Sequence, residues 1–258
     1  MQWQIKSYEL LDSTNLEAKR IIQASDSTQD LHGIVLTAEE QSQGRGRMGR
    51  QWESPTGTGL WFSAIIQSPV RIEQASLYSF VAAVAVAEAV RQVTALPATL
   101  KWPNDILLDG KKICGILLEL VPQKSGRHYL VIGIGINVNQ KQQDFPPELH
   151  DKATSLAIAL GNSVNRTDLL MTVLQKLQDN CSIMEQQGFA PLRDKWKTLS
   201  CVIGQMVSVQ QYGKELYTGI AEDIAMDGAL LVQTEDNIVP VIAGDVSIRT
   251  TDNDYDFR

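Results

Sequence analysis

Ile106-Leu107-Leu108-Asp109-Gly110-Lys111-Lys112-Ile113-Cys114-Gly115-Ile116-Leu117-Leu118-Glu119-Leu120 is the most legible stretch of the chain. An Asp-Gly pair between two apolar runs predicts a two-residue hairpin, because both central turn residues need positive φ. Lys101-Trp102-Pro103-Asn104-Asp105 leads into it. Trp-Pro predicts an extended backbone, after which Asn-Asp bends the chain and aims its side chains at one spot. Downstream, Tyr129 to Val138 reads as a further strand containing Gly133-Ile134-Gly135-Ile136-Asn137.

Upstream, Thr14-Asn15-Leu16-Glu17 has the form of a capping box opening a helix through Ile21 and Ile22. Gly33–Ala38 and Gly57–Ile66 read as strands, the second after a glycine-rich entry. Leu77–Gln92 is an Ala/Val-rich helix, apolar on most faces and therefore expected inside. Asn165-Arg166-Thr167-Asp168 starts a long helix that stops near Gly188, and a shorter one follows through Trp196. The class is α/β, or α+β. After about Leu199 the runs Met206–Gln210, Glu215–Ile224, Gly228–Thr234 and Ile238–Ile248 alternate and are split by Tyr-Gly, Asp-Gly and Asp-Asn turns. That spacing suggests a small antiparallel barrel or sandwich. The expected division is 1–199, 200–250 and a frayed polar tail at 251–258.

A length of 258 residues suits one large domain or one with a small companion. The 43% hydrophobic and 21% charged composition excludes disordered and fibrous classes. A net charge of −7 is a poor match for a chain whose main work is gripping phosphate backbones. The opening residues show no basic region followed by an apolar run, so no signal peptide is expected. The most apolar stretch, Leu77–Val90, falls short of the roughly 20 residues a bilayer needs, so no membrane association is expected. Cys114, Cys181 and Cys201 show no paired spacing, which points to a reduced, cytoplasmic setting. His32, His128 and His150 make no metal-ligand spacing, and no metal site is expected.

Four pieces could carry chemistry. Gln41-Ser42-Gln43-Gly44-Arg45-Gly46-Arg47-Met48-Gly49-Arg50 combines backbone N–H groups freed by glycine with three permanent cations, which suits a phosphate or carboxylate ligand. It lacks the Lys-Ser/Thr ending of a P-loop, and its plain alternative is a solvated basic or RNA-binding loop. Asp105 close to Lys111 and Lys112 suits proton handling or placement of an amine nucleophile; the alternative is a surface hairpin. Gly133-Ile134-Gly135 fails as a dinucleotide fingerprint, since Val138 stands at the third glycine position, and reads as a strand admitting a close neighbour. Ser13-Thr14-Asn15 is a helix cap or a seat for polar ligand atoms.

Taken in order, Asp12-Ser13-Thr14-Asn15, Gln41…Gly44-Arg45-Gly46-Arg47…Gly49-Arg50-Gln51-Trp52, Lys101-Trp102-Pro103-Asn104-Asp105, Lys112-Ile113-Cys114-Gly115 and Gly133-Ile134-Gly135-Ile136-Asn137 closely resemble the biotin–protein ligases. The resemblance runs from about residue 7 to about 249. It implies a mixed-sheet catalytic domain of the biotin/lipoate ligase type with a small Src-homology-3-like barrel. It also implies two steps: biotin and MgATP give biotinyl-adenylate and pyrophosphate, and the biotinyl group then passes to a lysine of a biotin carboxyl carrier protein. Biotin and ATP are thus the implied small-molecule partners, with Mg²⁺ held by the ATP phosphates.

By the same resemblance, Lys112, Arg47, Asp105 and Lys101 form the catalytic set. Ser13, Thr14, Asn15, Gln41, Gly44, Arg45, Gly46, Arg47, Trp52, Lys112 and Gly115 bind biotin or its adenylate, and Asn137 with Arg45 serves ATP. The Gly44–Arg50 loop is expected to close over the adenylate. Met48 stands where relatives often carry another arginine. Eleven residues before Asp12 leave no room for the helix-turn-helix domain of bifunctional relatives, so no DNA binding is expected; a monomer and a homodimer both fit. Lipoate–protein ligases share the fold, but their arginine-and-triple-glycine signature is missing. A non-catalytic RNA-binding module would leave Lys112, Asp105 and Asn137 without a purpose.

Overall fold

The computed structural model of the chain describes residues 2–26, 28–68, 72–211, 214–243 and 246–250. In chain order its first part runs β1 (Gln4–Leu11), α1 (Thr14–Ala24), β2 (Ile34–Gln41), β3 (Leu60–Gln67), α2 (Tyr78–Thr94), β4 (Thr99–Lys101), β5 (Asp105–Leu108), β6 (Lys111–Pro122) and β7 (His128–Ile136). Helices α3 (Leu156–Leu160), α4 (Arg166–Gln187) and α5 (Ala190–Leu199) follow. The last part is β8 (Met206–Gln211), β9 (Lys214–Ile224), β10 (Leu230–Gln233), β11 (Ile238–Val241) and β12 (Val246–Thr250).

The first seven strands form one mixed sheet in the order β1-β2-β3-β7-β6-β5-β4, parallel only between β1 and β2. Asp109 and Gly110 take φ of 48° and 77°, so β5 turns into β6 through the two-residue turn that the Asp-Gly pair predicts.

Alternation along the strands sends successive side chains to opposite faces. One face carries Val35, Phe62, Ala64, Ile116, Ile132 and Ile134 into a large core built with α2, α4 and α5. There Phe80 meets Phe189 and Trp196 edge-on, at centroid separations of 5.3 and 5.4 Å. The other face carries Leu36, Ile65, Val131, Val121 and Tyr129, which bury Ala18 and Ile22 of α1. The Asn165 side chain caps α4 by accepting from the N–H groups of Thr167 and Asp168, and Gly188 ends it, as the sequence suggests.

Three expectations change. Ser13, not Thr14, is the cap residue of α1, and its side chain makes no capping hydrogen bond. Trp102–Pro103 is a cis peptide within a turn between β4 and β5, rather than an extended link. The helical run Ile72–Thr94 has 23 residues, long and apolar enough by length and composition to cross a bilayer. Its apolar faces are instead covered by the sheet and by α4 and α5, which makes it a core helix.

The last five strands make a second, antiparallel sheet in the order β11-β10-β9-β8-β12. It is fastened to the first part by Trp102 Nε1, which donates to the Gly228 carbonyl at 3.1 Å, and by Lys197 Nζ, 2.8 Å from Asp223. The Tyr212-Gly213 turn, Gly244-Asp245 and the tail at 251–258 lie outside the described residues.

Trp102 is 1% exposed and its bond to Gly228 is buried. Replacing it as Trp102→Phe retains most of the packing but strands a carbonyl. Unfolding free energy should fall by about 1–2 kcal/mol, read as a lower urea midpoint; an unmoved midpoint would show that the bond does not hold the two sheets together.

Candidate active site

On the α1 face, strand register places Ser63, Gly133 and Leu117 in one cross-strand row. The next row, two residues along, is Trp61, Gly135, Gly115 and Asp105. Where Val131 packs under α1, the following positions of the same face, Gly133 and Gly135, are bare. The backbone becomes a floor. A Cβ at Gly133 would stand 2.1 Å from Asn15 Oδ1, and one at Gly135 would stand 2.6 Å from Trp52 Nε1. At Gly115 it would lie 2.9 Å from the Trp52 ring and 3.3 Å from Lys112 Nζ.

Above the floor is a cavity of about 440 Å³. One end is made by the start of α1, where Ser13, Thr14 and Asn15 are all buried, and by Gln41 at the end of β2. Gln41 Oε1 accepts from the Thr14 N–H at 2.8 Å, and Gln41 Nε2 donates to Ser54 Oγ at 2.8 Å. Gln41, from the end of β2, thus takes up a backbone N–H at the start of α1, where the Ser13 side chain makes no capping hydrogen bond.

The arginine–glycine loop forms the roof. Gly46 N–H donates to the Arg50 carbonyl at 2.7 Å, and Trp52 N–H donates to the Gly44 carbonyl at 2.9 Å. Gly44 does not line the cavity, but a Cβ there would meet the Trp52 carbonyl at 2.2 Å, so its role is to let the loop fold back. Met48 adopts a left-handed φ of 56° in the tight turn Arg47–Gly49. Arg47 Nη1 donates to Asn104 Oδ1 at 2.9 Å, drawing the loop onto the turn before β5.

Lys112 Nζ lies 2.6 Å from Asp105 Oδ1 and 5.2 Å from the centroid of the Trp52 ring, on whose face it rests. Its backbone is held by the 152–154 segment: its N–H donates to the Lys152 carbonyl at 2.8 Å, and its carbonyl accepts from the Thr154 N–H at 3.0 Å. Cys114, its near neighbour in β6, points into the opposite core, where burial pushes its thiol well above the ordinary range. It is no competing nucleophile.

The far end of the cavity is walled by Asn137, Gln140, Phe145, Leu149 and Ala153. Asn137 Nδ2 donates to the Thr154 carbonyl at 3.1 Å, and Asn137 Oδ1 accepts from Gln140 Nε2 at 3.2 Å. Ile248 of β12 also lines the cavity, so the second sheet contributes to the wall.

Of the residues that the family resemblance placed in the site, Gly44 stands off the cavity, and Lys111, put forward beside Lys112, instead donates to the His150 carbonyl at 2.9 Å; Lys101 and Asp105 line the cavity beside Lys112. Reasoning from sequence missed the 140–153 wall, Ile248, and the floor role of Gly133 and Gly135. The two glycines were visible as places for a close neighbour. Nothing local marks Gln140–Ala153 or Ile248, which long-range packing brings in.

Residues 9–137 match the biotin/lipoate A/B protein ligase family, and residues 202–249 match the biotin protein ligase C terminal domain. The bifunctional ligase/repressor BirA of Bacillus subtilis is 33% identical over 241 residues, covering 93% of this chain and 73% of that relative. The biotin–[acetyl-CoA-carboxylase] ligase of Mycobacterium tuberculosis is 32% identical over 239 residues, covering 91% of this chain and 85% of that one. Among solved structures, the biotin protein ligase from Aquifex aeolicus in complex with biotin and ATP is similar with a TM-score of 0.82 at 32% identity, covering 96% of this chain and 99% of that chain.

The Trp52 indole depends on the bare floor beneath it. Gly135→Ala should lift it, and the Trp52 indole N–H resonance should shift in a ¹⁵N–¹H spectrum. The Trp102 indole, bonded to Gly228, should stay in place; an unchanged Trp52 signal would contradict the flush packing.

Proposed function

Because the chain belongs to the biotin/lipoate A/B protein ligase family, we propose that it joins biotin to a carrier protein in two steps within the one cavity. The chain is an ATP-dependent biotin–protein ligase. In the first step a biotin carboxylate oxygen attacks the α-phosphorus of ATP, forming biotinyl-5′-AMP and expelling pyrophosphate. In the second, a carrier lysine attacks the acyl carbon and AMP leaves. The observation that carries this reading is the glycine floor with Lys112 above it, flanked by a polar seat at one end and an arginine loop overhead.

Adenylation brings a carboxylate against a polyphosphate, and fixed cations offset that repulsion most strongly where water is excluded. Lys112, Arg45 and Arg47 serve this purpose, with Lys101 beside them on the cavity wall. Biotin lies with its ureido ring among Ser13, Thr14, Asn15 and Gln41, under Arg45 and Gly46, and with its chain over Gly115. Trp52 gives way to the ligand and covers it. The adenine lies at the Asn137 end. Magnesium would enter with ATP as part of the substrate, held by its phosphates; among the described residues no group of three or more His, Cys, Asp and Glu side chains is placed to hold a metal ion.

The second step needs an uncharged amine, whereas a lysine with an ordinary pKa of about 10.4 is almost wholly protonated at neutral pH. Asp105, 2.6 Å from Lys112 in this structure, positions the incoming lysine and takes its proton once Lys112 turns to the phosphate. The acceptor is a biotin carboxyl carrier domain of acetyl-CoA carboxylase or a related carboxylase. We place the division between catalytic domain and small barrel at 199/200. The three unpaired thiols, Cys114, Cys181 and Cys201, support a cytoplasmic setting.

The reading is tested by the intact mass of a biotin carrier domain after incubation with this protein, MgATP and biotin, with lipoate in a parallel tube. A biotin-sized gain in the first tube only is expected. Gain with lipoate alone, or with neither and no pyrophosphate release, would overturn it.

Two variants separate the steps. Lys112→Ala should slow adenylate formation by about 100-fold or more with the fold intact. Asp105→Asn should slow transfer from preformed adenylate by about 100-fold while adenylation changes little; equal losses in both steps would remove Asp105 from the transfer role.

A further inference from the structure

Glu119 does not line the cavity, yet its carboxylate anchors a hydrogen-bond chain that ends in the cavity wall. It stands two residues beyond Leu117 on the same sheet face, opposite Val131, and its side chain is 19% exposed. Glu119 Oε2 accepts from Asn15 Nδ2 at 2.9 Å, Oε1 pairs with the Lys19 ammonium, and Arg45 Nη1 lies 3.8 Å away. Asn15 Nδ2 also donates to the Leu117 carbonyl at 3.3 Å. Both of these partners are pure acceptors, so only the amide NH₂ can face them. Asn15 Oδ1 therefore points the other way, over Gly133 and toward Ser63.

Three oxygen–oxygen contacts follow. Ser63 Oγ lies 2.6 Å from Asn15 Oδ1 and 2.7 Å from Thr14 Oγ1, and Thr14 Oγ1 lies 3.1 Å from Gln41 Oε1. Only two hydroxyl protons serve them. Asn15 Oδ1 has no proton to give, so the Ser63 hydroxyl donates to it. The Thr14 hydroxyl then donates to Ser63, the shorter of its two contacts. The 3.1 Å contact is left without a proton, and Gln41 Oε1 accepts only from the Thr14 N–H. Two oxygens with open lone pairs, Thr14 Oγ1 and Gln41 Oε1, thus stand side by side at the cavity wall.

We propose that Glu119 is a positioning residue that sets this polarity: by fixing the Asn15 amide it turns the far end of the chain into a paired acceptor for a ligand N–H. The inference rests on the biotin reading above, since a ureido ring offers N–H donors. A ligand N–H between the two oxygens relieves an acceptor–acceptor contact, whereas a ring lacking that donor leaves both unpaired.

The test is calorimetric titration of biotin, and separately of ATP, into the full chain and three variants: Glu119→Gln, Asn15→Asp and the two combined. Glu119→Gln sets one amide NH₂ against another, and Asn15→Asp sets two carboxylates together. Each should weaken biotin binding about tenfold or more, with ATP affinity kept within about threefold. In the combined variant the new amide at 119 donates to the new carboxylate at 15, whose other oxygen still accepts from Ser63. Biotin affinity should recover by about threefold or more over the worse single variant, short of wild type because a carboxylate oxygen then faces the Leu117 carbonyl. Wild type that binds no biotin would refute the ligase reading itself. Normal biotin affinity in Glu119→Gln, or a combined variant no better than the worse single, would refute the polarity role alone. Should Glu119→Gln not fold, the combined variant decides by the same criterion.

Discussion

One face of β7 must do two incompatible things. At Tyr129 and Val131 it has to fill space against α1, and two residues further on it has to leave space for a ligand. A strand cannot change which face a residue occupies without slipping register, so the change has to come through side-chain size. Gly133 and Gly135 supply it, and Gly115 extends the bare area onto β6. The rest of the site is arranged around that floor: the start of α1 at one edge, Trp52 lying flat on it, and Lys112 held above by a clamp of backbone hydrogen bonds.

Electrostatics follows the same economy. The chain carries a net −7, yet Arg45, Arg47, Arg50, Lys101 and Lys112 converge on one cavity. Gathering several cations around one cavity is unfavourable, and the structure distributes them among internal partners. Lys112 has Asp105 and the Trp52 ring, Arg47 has Asn104, and Arg45 approaches Glu119. Each partner is close enough to spare the cation from isolation. A polyphosphate, with several charges at once, competes with all of these single contacts together.

Local chemistry made much of this readable from the sequence. The Asp109-Gly110 turn demands positive φ at both residues, so the β5–β6 hairpin and the placement of Asp105 beside Lys112 were legible. The Asn165 cap and Gly188 stop bounded α4 for similar reasons. What failed had competing partners. Thr14 looks like a cap, but its hydroxyl is engaged by Ser63 and its N–H by Gln41, which lie far away in sequence. The apolar span Leu77–Val90 is too short for a bilayer, whereas the helical run reaches Thr94 and is covered by the sheet and two helices. Glu119 is one acidic residue in an apolar strand, and its importance exists only once α1 lies across β6.

The presence of Ile248 in the wall has a temporal consequence. The cavity draws on residues from Ser13 to Ile248, so its outline spans both sheets and is dominated by contacts between distant segments. During synthesis the floor and roof emerge long before β12, and a partly made chain holds an unfinished chamber. A reactive mixed anhydride would leak from such a chamber into water. The architecture thus ties the finished wall to the docking of β12: until Ile248 is in place, that side of the chamber is missing.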